Sequence, residues 1–256
     1  MNRPATPPSA ATTPAHQTPP TRGSVAGDLR ILAGALAAGA LVGLLFNGVG
    51  TRLAMRLLFL LNTDVRGRLS DDGFVMGQFS VVDTLELVAF GTFVGTLGSM
   101  VYLVLRPLRT GHRAFDASSL VVGPAVVVGN MLVHSNGIDF RLLKPTTLAI
   151  GLFVALPAAS AAATVWLVER WLRPDAWPQR SRGGWLAALP LALPLGFGLP
   201  PLVAIIGRVA YRQIPAERAA PIVSWARRLG QAALVAIFAY AAVGLATTCI
   251  ELLGLT

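Results

Sequence analysis

The chain has one cysteine, Cys249, and one lysine, Lys144, among its 256 residues. A single thiol excludes an internal disulfide and any cysteine-rich metal site. Charge is scarce as well: 13% of residues are charged, against about 25% in an ordinary soluble domain. Too few charged side chains remain to cover the surface of a water-soluble enzyme of this length. The sequence also lacks a Walker loop, a glycine-rich dinucleotide fingerprint, a zinc-protease helix motif and a G-x-S-x-G elbow. No cofactor is expected, and with three histidines and no second one near His134 no metal site is expected either.

What is abundant is apolar. Hydrophobic residues make up 54% of the chain, and mean hydropathy is +0.63. They gather into six uncharged runs, at residues 31–51, 87–105, 117–134, 145–168, 183–207 and 229–250. Each is near the about 20 residues that a helix needs to cross about 30 Å of hydrocarbon. Lipid offers no partner to a free backbone group, so helices are the expected form. The expected fold is all-α, a polytopic transmembrane bundle of about six spans over residues 28–256. Residues 1–27 precede it as a Pro/Thr/Ala-rich tail with almost nothing to bury, which is expected to be disordered. The tail is too long and too weakly basic for a standard signal-peptide n-region, so the first run is expected to be a retained anchor.

Twenty-one basic and twelve acidic residues give a net charge of +9. In a multi-spanning protein such an excess fixes topology from short loops, so the expected partner is the lipid bilayer and not nucleic acid. Six alternating crossings would place ten basic residues on the face of the N-terminus and eleven on the other. That tie has one simple remedy. If the proline-rich run at 183–207 enters and leaves on one face, Arg208, Arg212, Arg218, Arg227 and Arg228 change sides and the division becomes fifteen against six. The basic tail and the basic loops at 106–116 and 169–182 favour an N-terminus inside.

Several local patterns carry more. Gly39 and Gly43 form a small-xxx-small pair, as do Gly91 and Gly95. Such pairs let helix backbones approach closely, here expected within the bundle rather than at a dimer face. Residues 52–62 are apolar except for Arg52 and Arg56, which share a helix face. They are read as an interfacial basic pair with both guanidinium groups among headgroups, with an extension of the first helix as the alternative. Trp166, Trp171, Trp177, Trp185 and Trp225 flank spans and fit an interfacial aromatic belt.

Loops one and three fall on one face. Loop one carries Asp64, Asp71, Asp72, Asp83 and Glu86, and loop three carries His134 and Asp139. They are expected as solvated turns, with a small polar site for a cation or a polar headgroup as the functional alternative. Asp83 and Glu86 open the second run, where the helix dipole stabilises carboxylates. Glu86 is also a candidate intramembrane proton or cation group. Asn130 and His134, four apart, are expected on one helix face. The candidate polar site is therefore Asp71, Asp72, Glu86, Asn130, His134 and Asp139.

The stretch from Asn47 to Arg56, the loop from Thr63-Asp64 to Asp71-Asp72-Gly73-Phe74, and Asn136 to Arg141 running into Pro145 resemble a group of uncharacterised actinobacterial integral membrane proteins. The resemblance covers residues 30–170 and implies a bacterial cytoplasmic membrane protein, without catalytic residues to carry over. Two functions follow as expectations. The first is a non-enzymatic transporter-like protein or the partner of a membrane complex, a homo-oligomer included, with Glu86, Asn130 and His134 converging between helices. The second is a membrane-embedded enzyme acting on a lipid or lipid-linked substrate, with Asp71, Asp72, His134 and Asp139 converging beside a groove.

Overall fold

A computed structural model describes residues 25–71, 73–173, 175–176 and 216–254. The tail at 1–24, the run at 183–207, Asp72, Trp177 and Trp185 lie outside the described residues. The described chain is all helical apart from turns and one isolated bridge between Leu69 and Val75. Helix α1 is Val25–Val42 and α2 is Thr51–Leu61, joined without a break by wide π-helical turns at Gly43–Gly50. Helix α3 is Val81–Leu105, α4 is Arg113–Ala117 and α5 is Gly123–Leu132. A short α6, Ile138–Leu142, precedes α7, Thr146–Trp171, and the last helix, α8, is Ala216–Leu252.

Among the described residues, five stretches are long and apolar enough to cross a membrane: Gly27–Leu61, Val81–Leu108, Phe115–Leu132, Thr146–Trp171 and Ser224–Leu252. Their boundaries follow from local chemistry. Extended Ser80 caps α3, its hydroxyl oxygen accepting from the Asp83 amide at 3.2 Å. Asp83 thus stands in the first turn, where the dipole favours it. Helix α7 starts directly after Pro145, which is extended, because a proline disfavours helix before it and needs no donor at the first turn.

Glycine sets the central contact. A Cβ on Gly39 would stand 2.5 Å from the Gly95 carbonyl oxygen, and one on Gly91 would stand 2.6 Å from the Asn47 carbonyl carbon. Gly43 and Gly95 meet backbone to backbone in the same way, and Ser99 closes the row against Gly39. The two small-xxx-small pairs therefore face each other across α1 and α3, inside one chain, as expected. Two apolar clusters lie at the two ends of the bundle. One joins Leu36, Val42, Met100, Leu120 and Val168, and the other joins Leu58, Val65, Val133, Phe140 and Ala149.

Two expectations are corrected here. Residues 52–61 do not form a separate interfacial segment; they continue the first helix, which runs 35 residues from Gly27 to Leu61. At 1.5 Å per residue that is about 50 Å, longer than the hydrocarbon alone requires. Arg52 stands over the Phe79 ring at 6.0 Å and exposed Arg56 over Phe59 at 5.7 Å.

The second correction concerns alternation. Helix α7 ends beside the end of α3, where Glu169 meets Arg106. Helix α8 starts at that same end: Gln231 donates to the Leu108 carbonyl at 2.8 Å, and Gly230 packs on the Leu108 side chain. Farther along, Phe238 lies against Gly123 and Gly244 against Asn130, and Leu252 reaches the opposite end. The chain therefore returns to the end it left between α7 and α8, which six alternating crossings do not allow. Arg227, which donates to the Arg109 carbonyl, thereby stands at the same end as Arg106 and Arg109. Accessibility tags placed at the two termini of the full chain should report opposite faces of the membrane, with the N-terminal tag inside; both tags on one face would sink this topology.

Candidate functional site

Loop one is a tight hairpin. The amide of Ser70 donates to the Phe74 carbonyl at 2.8 Å, and that of Met76 to the Arg68 carbonyl at 2.8 Å. Gly67, Gly73 and Gly77 take positive φ at its bends, a conformation that suits glycine. The hairpin docks onto loop three through a reciprocal clasp. The Asp71 amide donates to Asp139 Oδ1 at 3.3 Å, and the Asp139 amide donates to Asp71 Oδ2 at 3.2 Å. Gly137 makes room, since a Cβ there would stand 2.8 Å from Asp71 Oδ2.

A second clamp lies beneath. Asn62, 5% exposed, ends the first helix. Its Nδ2 donates to the Leu58 and Lys144 carbonyls, each at 2.8 Å, and its Oδ1 accepts from the Lys144 amide at 2.8 Å. Loop three is thus fixed at both ends, by Asp139 on α6 and by the backbone of Lys144.

The fixed loop borders an open cleft of about 520 Å³ at the end where α7 begins and α8 finishes. Ser135, Arg141, Lys144, Thr146 and Glu251 give it polar walls, and Phe140 and Leu252 an apolar floor. Arg141, Lys144 and Glu251 are exposed. The Arg141 Nε donates to the Ser135 carbonyl at 3.2 Å.

The candidate polar residues are not one constellation. Asp71 and Asp139 meet. Glu86 is exposed on the outer face of α3, because the small-residue face of that helix is the one turned inward. Asn130 packs against Gly244 of α8. His134 is exposed beyond the end of α5 at Leu132, so it does not share a helix face with Asn130. Among the described residues, no group of three His, Cys, Asp or Glu is placed to hold a metal ion.

The opposite end holds a network that the sequence reading passed over. Arg106 grips Glu169 with two bonds, Nε to Oε1 at 2.8 Å and Nη2 to Oε2 at 3.1 Å. Tyr102 donates to the same Oε1 at 2.5 Å. Arg109 reaches Glu169 at 3.2 Å and Asp116 at 3.4 Å, and the Thr110 amide donates to Asp116 at 2.9 Å. Arg227 donates to the Arg109 carbonyl, which ties α8 to the same corner. Burial works against the charge on Arg109, but the oxygens of Tyr102, Asp116 and Glu169 outweigh it and hold its pKa above the ordinary guanidinium value. One signal was available in the sequence: charges of opposite sign close the second and fourth runs and open the third, all at one end. Glu169→Gln should lower thermal stability in detergent by about 1–2 kcal/mol, since a bidentate charged pair is lost but its side chains are about a third exposed. An unchanged melting temperature would show that the network contributes nothing.

No protein family, curated protein or solved structure matches the chain.

Proposed function

We propose that the chain is a non-enzymatic multi-pass protein of a bacterial plasma membrane, acting as a subunit of a membrane complex. The observation that carries this reading is Tyr240. It is 81% exposed and lies midway along Ser224–Leu252, the least buried of the five candidate spans. Tyrosine is usual at the ends of a span, where its hydroxyl meets water. At mid-span a phenol hydroxyl facing lipid lacks any acceptor, which costs free energy. A neighbouring protein surface supplies one. Val235, Ile237 and Val243 extend the same exposed apolar helix. Exposed Trp166 and Trp225 lie at the end of the bundle nearest the N-terminus, in keeping with an aromatic belt there. The charge division of fifteen to six supports that end as the inner one, and the resemblance noted in the sequence supports a bacterial origin.

A transporter-like role has less support, because the α1–α3 seam is filled by backbone contact and Glu86, Asn130 and His134 stand apart. The enzyme reading keeps one observation, the meeting of Asp71 and Asp139. Their carboxylates accept each other's amides, which is a structural use.

A photo-crosslinking amino acid at position 240, activated in native membranes, should give a discrete adduct heavier by a second protein. The same probe at Phe90, exposed on α3, serves as the lipid-facing control. Adducts at 240 with lipid alone, or inside the same chain, would overturn the proposal. The enzyme alternative is tested separately: Asp71→Asn and Asp139→Asn keep an amide-accepting oxygen, so folding should be nearly unchanged. Loss of a cellular phenotype in these variants at normal protein level would favour catalysis.

A further inference from the structure

The geometry points to the cleft between loop three, α7 and α8 as a binding site for a zwitterionic phospholipid headgroup, one that carries a phosphate and an ammonium. The cleft sits at the right depth. Thr146 opens one candidate span and Leu252 closes another, so the polar walls stand where headgroups lie and Leu252 faces the start of the acyl region.

Its charges are of both signs and are kept apart. Arg141, Lys144 and Glu251 line the same cleft, yet none of the three pairs with another of them within 4 Å. Two cations and one anion that face one space without neutralising each other match a ligand with separated charges. A phosphate would take the Arg141 guanidinium and the Lys144 ammonium, with the Ser135 and Thr146 hydroxyls as further donors. The primary ammonium of an ethanolamine group would take Glu251. The glycerol backbone and first methylenes would rest on Phe140 and Leu252. An anionic headgroup with no ammonium leaves Glu251 opposed to it, so the site should discriminate.

The cleft is also held ready. Lys144 has an exposed side chain on a backbone that Asn62 grips from both sides. Arg141 rides on α6, whose Asp139 is clasped to Asp71, and its Nε is bonded to the Ser135 carbonyl. Ordering that precedes binding lowers its entropic cost. Basic pockets at the membrane surface are a general means of lipid recognition; here the acidic member makes the expected selectivity zwitterionic.

The test uses the full chain purified in detergent, titrated with dioleoyl phosphatidylethanolamine or dioleoyl phosphatidylglycerol, with retained lipid read by native mass spectrometry. Ethanolamine lipid should be retained about fivefold better than glycerol lipid, as expected for one favourable charged contact at a partly solvated site. Arg141→Gln and Lys144→Gln should each weaken its retention by about the same factor, and Glu251→Gln should abolish the preference. Arg68→Gln, an exposed charge on loop one, should change nothing. Equal retention of the two lipids by the unmodified chain overturns the proposal and needs no variant to fold. So does an equal loss in Arg68→Gln. Soluble O-phosphoethanolamine or inorganic phosphate that displaces the lipid at equal concentration would assign the site to a free phosphate instead.

Discussion

Gly43→Leu or Gly95→Leu should separate α1 from α3 and lower the stability of the folded bundle by about 3 kcal/mol or more, the upper range for overpacking. At each position the space for a side chain is taken by backbone. A Cβ on Gly43 would stand 2.9 Å from the Gly95 Cα, and one on Gly95 would stand 2.5 Å from the Gly43 amide nitrogen. Backbone cannot rotate away as a flexible side chain would, so the helices must part. In a membrane the separated helices keep their own hydrogen bonds, so the loss falls on helix association rather than on helix formation. The measurement is unfolding in mixed detergent followed by near-ultraviolet signal, with helicity as the control. Gly98 provides the internal standard. It lies in the same helix with nothing within 4 Å of its added Cβ, and Gly98→Ala should be neutral or stabilising by about 0.5–1 kcal/mol. Equal behaviour of the Gly43 and Gly98 variants would show that the seam does not hold the bundle.

That seam was legible in the sequence because its signal is local. A four-residue spacing of glycines in an apolar run states a close helix approach, and two such runs offer one obvious partner to each other. The positions of five runs were legible for the same reason, since bilayer thickness converts directly into run length. The path of the chain was not. Whether α8 starts at the inner or the outer end depends on Gly230 meeting Leu108 and Gln231 meeting its carbonyl, contacts between residues more than a hundred positions apart. Only the tie of ten basic residues against eleven under six alternating crossings hinted at it. Glu86 shows the limit of reading a charge by its neighbours. Its place at the start of an apolar run does not say which face it takes, and the glycine face of α3 turned it outward. The corner of Tyr102, Arg106, Arg109, Asp116 and Glu169 escaped notice because each charge taken alone reads as the end of a run. Their meaning comes from three runs ending together. The meeting of Asp71 with Asp139 was anticipated only in the alternative that joined loops one and three in one polar site, and not as a clasp through backbone amides, because turn-forming residues locate a bend without saying what the bend touches.

Asn62→Leu should cost about 2–4 kcal/mol and loosen the cleft at the same time. Asn62 is the point where the first helix, loop three and α7 meet, and its side chain makes three bonds of 2.8 Å while 5% exposed. Leucine keeps the branched outline but is bulkier than the amide, so no cavity forms and the loss reads the hydrogen bonds together with some crowding. It leaves the amide and carbonyl of Lys144 without their partner in a partly buried corner, and an orphaned group costs up to about 1–3 kcal/mol where water cannot reach it. Asn62→Ala should cost more, because a cavity is added to the same loss. Lys144→Ala is the contrasting variant. It removes an exposed side chain and keeps the backbone bonds to Asn62, so its stability should stay within about 0.5 kcal/mol of the parent. The two variants separate structure from recognition. Both should weaken retention of the ethanolamine lipid, Lys144→Ala by removing a charge and Asn62→Leu by freeing the backbone that aims it, but only Asn62→Leu should lower the melting temperature. If Asn62→Leu melts like the parent, the clamp is not what fixes loop three, and the order of the cleft must come from the clasp of Asp71 and Asp139 alone.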